Sequence, residues 1–185
     1  MLCLAACSPP STEIASNRDS NYSREPKRLA VVENVRDPLV LQSKSFQDAF
    51  QQKIKNCGIV GGYVVRPVEE FDAARPPHDD VRQDIDAKTN DFVRSFNPDT
   101  VLTITEAGFR RKAEMANGHV AFSSYEKIEY NLALTDTQTR KVVWKSHIVL
   151  NPGVGTEDVP GTQLATDIVA RLTKDGIFRS CPAGR

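Results

Sequence analysis

Apolar and polar residues alternate in some stretches of this chain and recur every three or four residues in others. The first pattern predicts strands at Leu29–Val35, Tyr63–Val68, Thr100–Thr105, a long run through Leu134, and Val142–Leu150. In the last two, Phe122, Ile128, Tyr130, Leu132 and Leu134, then Val142, Trp144, Ile148 and Leu150, share one face. Lys127, Glu129, Asn131, Lys145 and His147 take the other. Such alternation predicts a sheet with one face on a core and the other toward solvent or a partner. Gly61-Gly62 is expected to interrupt the chain just before the second strand.

The helical spacing appears in three groups: Phe46, Ala49, Phe50, Ile54 and Cys57; Val81, Ile85, Thr89, Phe92 and Phe96; and Leu164, Ile168 and Leu172. They predict helices over 45–56, 79–96 and 161–174, with Asn97-Pro98-Asp99 and Asp175-Gly176 as stops. The order is β-α-β-α-β-β-β-α, provided the basic stretch before Asn117-Gly118 is itself extended. The expected fold is a two-layer α/β domain, a mixed sheet of about five strands with about three helices on one face.

Before Arg28 neither pattern is visible. Residues 8–27 hold Pro9, Pro10 and Pro26, with Ile14 the only large aliphatic residue. Together with Cys7 they are read as a disordered tether, 7–27, ahead of a single domain, 28–185. Fully extended, such a segment reaches roughly 70 Å; as a relaxed coil it spans about 25 Å.

Charge narrows the picture further. Across 185 residues, 24 Lys plus Arg offset 24 Asp plus Glu, so no cationic excess exists to neutralise a phosphate backbone, and no nucleic-acid partner is expected. No run has the roughly 18–20 apolar residues of a membrane-spanning helix. The zero is nevertheless an average. Residues 69–91 carry eight acids against Arg75, Arg82 and Lys88. Two charged stretches stand as solvated surface or as a partner surface: Asp79, Asp80, Asp84 and Asp86, and Arg110, Arg111 and Lys112.

Catalytic chemistry finds little support. The acidic stretch lacks the central glycine and terminal glutamate of a calcium loop. His78, His119 and His147 stand at no zinc-ligand spacing. No nucleophile elbow, phosphate-binding loop or dinucleotide fingerprint occurs. Cys57 continues an apolar helix face, which favours burial over nucleophilic use with His78 or His119. No catalytic residue, metal or cofactor is expected.

The four cysteines, Cys3, Cys7, Cys57 and Cys181, are not equivalent. Leu4-Ala5-Ala6-Cys7 resembles the lipobox of bacterial lipoproteins, which implies lipidation of Cys7. Ser8, where an inner-membrane protein of this kind would carry Asp, implies the outer membrane. Residues 1–6 are then the remnant of a signal peptide whose basic and apolar regions are expected upstream. A chain anchored outside the cytoplasm can keep disulfides, and Cys57 and Cys181 remain to form one, with two unpaired thiols as the alternative. Closing so long a loop is worth about 4–5 kcal/mol in the chain-entropy account.

Three segments carry a wider resemblance: Arg28-Leu29-Ala30-Val31-Val32, then Phe96-Asn97-Pro98-Asp99-Thr100-Val101-Leu102, and Leu134-Thr135-Asp136-Thr137 through Thr139-Arg140-Lys141-Val142-Val143-Trp144. The last is similar to a "D-x-x-T-G-K-V-x-W" hairpin, with Arg140 in place of the glycine. The pattern resembles envelope lipoproteins that share the α/β domain at the amino-terminal end of the Tol translocation protein. Their relatives are the activators of penicillin-binding proteins and the curli-secretion lipoprotein. The resemblance implies a non-enzymatic, lipid-anchored protein on the periplasmic face of the outer membrane that binds another envelope component. The alternative is a ligand- or lipid-binding auxiliary subunit of an envelope transport system.

Overall fold

Leu29, Ala30 and Val31 have no exposed surface, because their strand is interior to the sheet and both of its faces are covered. The computed structural model describes residues 11–35, 44–67, 79–116, 119–151 and 161–181, and for 35, 44, 66–67, 79–86, 111–116 and 119–126 it describes the backbone alone. The elements are β1 (Ser11–Arg18), β2 (Arg28–Val35), α1 (Lys44–Asn56), β3 (Val60–Pro67), α2 (Asp79–Phe96), β4 (Thr100–Ala116), β5 (His119–Asp136), β6 (Val142–Asn151) and α3 (Gly161–Lys174). They build one mixed, six-stranded sheet in the order β1-β6-β5-β4-β2-β3. β2 runs parallel to β3 and β4, and the β4–β5, β5–β6 and β6–β1 pairs are antiparallel.

One face of this sheet carries the main core. Leu29 and Val31 of β2, Leu102 and Ile104 of β4, Leu132 and Leu134 of β5, and Trp144 and Ile148 of β6 meet Phe46, Phe50 and Ile54 of α1 and Leu164, Ile168 and Leu172 of α3. The periodicities required this, since positions two apart on a strand and three or four apart on a helix share a face.

The expectation of all helices on one face is corrected by two adjacent glycines. A Cβ on Gly61 would collide with the Ile54 side chain of α1, whereas one on Gly62 would meet Phe96 at 2.9 Å and Phe92 at 3.0 Å on α2. Successive strand residues point to opposite sides, so α1 and α2 flank β3 from opposite faces. Gly61 and Gly62 therefore lie within β3 and do not interrupt the chain before it. They are small because helices approach the strand closely on both sides. Arg28 seals the far end of α2, its guanidinium 4.7 Å from the Phe96 ring centre and donating to the carbonyl of Asn97 at 3.3 Å.

The disordered-tether expectation is corrected as well. Ser11–Arg18 pairs in full with β6, from Ser11↔Asn151 to Arg18↔Trp144, and supplies the sixth strand. Its sequence has little apolar content, and polar side chains hold it instead. Ser16 Oγ donates to Asp175 Oδ2 at 2.5 Å and accepts from Arg171 Nε at 2.6 Å. Arg18 reaches the Asp175 carbonyl at 2.7 Å, and that approach requires Gly176, whose φ of +70° and lack of a side chain leave room for the guanidinium.

The rest of the supposed tether is tied down too. Tyr22 is buried, Arg24 pairs with Asp136 at 3.0 Å, and the Glu25 carboxylate accepts the backbone N–H groups of Arg179 and Ser180 at 2.8 and 2.6 Å. The part of the expected tether before Ser11 lies outside the described residues.

Candidate docking site on the open sheet face

Opposite the α1–α3 core, α2 lies against β2 and β3, and no other described helix covers the remaining strands on that face. The register places Thr103 and Thr105 of β4 beside Ala133 and Asn131 of β5, and these beside Lys145 and His147 of β6. Ala15 and Asn17 of β1 continue the row. Alternation makes all of them the outward partners of core residues. Short side chains at Ala15, Ala133 and Thr103 form the floor of an open groove of about 580 Å³, with Asn17, Asn131, Lys145 and His147 around it.

A polar chain borders the groove. Lys127 Nζ lies 2.5 Å from Glu129 Oε1, Glu129 Oε2 lies 3.3 Å from His147 Nε2, and His147 Nδ1 lies 3.0 Å from Asn131 Oδ1. The hydrogen bond from Lys127, against a smaller opposing effect of burial, holds the Glu129 carboxyl below its usual range, assisted by the charges of Lys127 and His147. The surface thus offers alternating cations, a carboxylate and amides over a flat, small-residue floor. The lining itself is largely apolar, and it is the openness of the groove, with polar groups along its border, that suits a docked surface better than an enclosed small molecule.

The other sequence-derived candidates are dispersed. Cys7 lies outside the described residues. Asp79, Asp80, Asp84 and Asp86 fall in the first turns of α2, and their side chains lie outside the described ones. Arg110, Arg111 and Lys112 sit on β4, paired with Lys127, Tyr125 and Ser124; Arg110 is exposed, and the side chains of Arg111 and Lys112 are outside the description. Acidic and basic stretches therefore stand on different elements. His78 lies outside the described residues, and His119 is described by its backbone.

Cys57 and Cys181 are joined by a disulfide. This ties the end of α1 to the C-terminal tail and occupies the sulfur that a nucleophilic role would need. Among the described residues no group of three or more His, Cys, Asp or Glu side chains is placed to hold a metal ion. No described helix is long and apolar enough to cross a membrane.

Glu33 is fully buried on the core face of β2, and among the described residues neither carboxyl oxygen has a hydrogen-bond partner. Burial pushes its pKa up to about 8, so the carboxyl is mostly neutral at pH 7. The nearby Tyr63 hydroxyl, also buried without a partner, is pushed well above its ordinary value by burial and then by Glu33. In the sequence Glu33 reads as a polar break in an apolar run; only the sheet order shows that both sides of β2 are occupied.

No family model and no curated protein matches the sequence. Among solved structures, the chain is similar to the PelC dodecamer of Paraburkholderia phytofirmans, at 15% identity over 94% of this chain and 100% of that one, with a TM-score of 0.49. It is also similar to lipoprotein GNA1162 of Neisseria meningitidis (17% identity, 81% and 97% coverage, TM-score 0.39). A third likeness is to a Xanthomonas campestris protein of the DUF330 family (12%, 86% and 91%, TM-score 0.40). These likenesses are too distant to give any residue a role.

Proposed function

We propose that this chain is a non-enzymatic, lipid-anchored accessory protein of the bacterial outer membrane, facing the periplasm, which docks another envelope component on its open sheet face. The observation that carries the reading is the Cys57–Cys181 disulfide, bridging a separation of 124 residues. Such a bridge belongs to a compartment outside the reducing cytoplasm, where a lipobox cysteine would also be processed. The Tol-type resemblance of the sequence belongs to the same proposal. The openness of the groove favours docking over carriage of an enclosed lipid, which would call for a deep, closed cavity.

A photo-crosslinking residue at Asn131, used in intact cells, tests the docking surface. The reading expects one discrete adduct with an envelope protein, absent when the crosslinker is moved to exposed Gln163 on α3. Equal labelling from both positions, or none from Asn131, contradicts it.

A further inference from the structure

β4 and β5 outrun every other strand. β2 accompanies β4 only as far as Asn34↔Thr105, and β6 accompanies β5 only from Ile128↔Leu150 onward. Beyond these points, among the described residues, β4 and β5 pair with each other alone, through Arg110↔Lys127 and on to Ala116↔His119. Six residues past Arg110, at about 3.4 Å each, make an arm of about 20 Å at most. Register shifts at Arg110/Arg111 and Lys112/Ala113 curl it. A two-stranded ribbon of this kind is marginal in water without something packed against it.

The direction of the arm identifies that covering. Ser11 pairs with Asn151 at the end of β6, and the next β6 residue inward, Leu150, pairs with Ile128. Ser11, Asn151, Lys127 and Arg110 therefore lie along one edge of the sheet, the edge from which the arm projects. The chain enters β1 at this same edge. Only four residue steps separate Cys7 from Ser11, and they span about 14 Å at full stretch. A lipid on Cys7 cannot hold this edge further from the bilayer than roughly the length of the arm.

Composition along the arm fits that placement. Its last four pairs are Ala113↔Phe122, Glu114↔Ala121, Met115↔Val120 and Ala116↔His119, six of eight residues being apolar and Glu114 the one acid. Behind them come Arg110, Arg111, Lys112 and Lys127, against the one acid Glu126, a net positive level at the depth of lipid headgroups when the tip meets the acyl boundary. Resting on the Cys7 anchor proposed above, we infer that the β4–β5 arm is a membrane-contacting element. Its tip lies in the interface of the bilayer that holds the anchor and fixes the domain's orientation there. At this length it reaches the interface without spanning the bilayer.

The test uses the full lipidated chain, reconstituted in vesicles of phosphatidylethanolamine and phosphatidylglycerol. An environment-sensitive fluorophore is placed through Ala116→Cys at the tip, or through Gln138→Cys in the β5–β6 turn at the opposite edge. Brominated acyl chains are expected to quench the Ala116 probe and to leave the Gln138 probe unchanged. An unquenched Ala116 probe on a chain that floats with the vesicles overturns the arm proposal and leaves the anchor standing. A chain whose mass shows no acyl groups on Cys7 overturns both. Quenching lost in cells, with a protein crosslinked at Ala116 in its place, assigns the arm to a protein partner and overturns the membrane contact.

Discussion

Trp144 donates its indole N–H to Asp175 Oδ2 at 2.7 Å, linking the buried start of β6 to the residue that follows α3. The same carboxylate oxygen takes the Ser16 hydroxyl and Arg171 Nε, so a single oxygen ties together β1, β6 and α3. Burial alone would raise the Asp175 pKa. Hydrogen bonds from Ser16 and Trp144, with the Arg171 charge, overcome this and hold it below the usual range.

Replacing Trp144 by Phe, or Asp175 by Asn, is expected to lower unfolding stability by about 1–3 kcal/mol, the range for breaking a hydrogen bond to a largely buried charge. With its pKa lowered in the fold, Asp175 contributes stability above the ordinary aspartate value of 3.8 that disappears as pH falls through the folded value. Denaturation of wild type and Asp175→Asn in acid should converge; unchanged separation at all pH values would remove Asp175 from this role.

Glu33 gives the opposite sign. Its carboxyl is protonated in the fold and ionised in the unfolded chain between the ordinary value of 4.5 and about 8. The folded state then binds more protons, so stability is highest below that window and is lost as pH rises through it, by up to about 1.4 kcal/mol per pH unit. Glu33→Gln should flatten this slope and be the more stable chain at the alkaline end. Urea unfolding across the window measures it, and parallel slopes for the two chains would contradict it.

Gly61→Ala presses on fully buried Ile54 and should cost about 1–3 kcal/mol, as overpacking does. Trimming the obstacle with Ile54→Val in the same chain should recover much of the loss. Gly62→Ala presses on half-buried Phe92 and Phe96, which can yield, and should cost less. Rescue of Gly62→Ala by Ile54→Val, as strong as that of Gly61→Ala, would contradict placement of α1 and α2 on opposite faces.

Arg140 has a φ of +57° in the β5–β6 turn, where the related hairpin pattern carries glycine. The left-handed conformation costs a residue with a Cβ roughly 1 kcal/mol. Arg140→Gly is expected to leave the turn intact and raise stability by up to about 1 kcal/mol, read from the thermal midpoint; a lower midpoint would place a needed contact on the Arg140 side chain.

The helices and the antiparallel strands were legible because their apolar residues repeat with clear periods, as in Phe46, Phe50 and Ile54 or Tyr130, Leu132 and Leu134. β1 was not, because Ser-Thr-Glu-Ile-Ala-Ser-Asn-Arg carries its stability in backbone pairing to β6 and in Ser16 and Arg18 bonds to residues more than 150 positions away. The side of the sheet taken by α2 was equally hidden, since a helix period gives a buried stripe and not the face that meets it. Of the site, Lys145 and His147 could be seen to point away from the core. Their convergence with Asn17 and Thr103 required the strand order.

The most direct test of an anchored, oxidised envelope protein is the intact mass of the chain extracted from bacterial membranes, taken before and after reduction and alkylation. The predicted result is a mature chain beginning at acylated Cys7, with Cys57 and Cys181 alkylated only after reduction. A soluble chain with residues 1–6 retained, no acyl groups, and both thiols alkylated without reduction would contradict it.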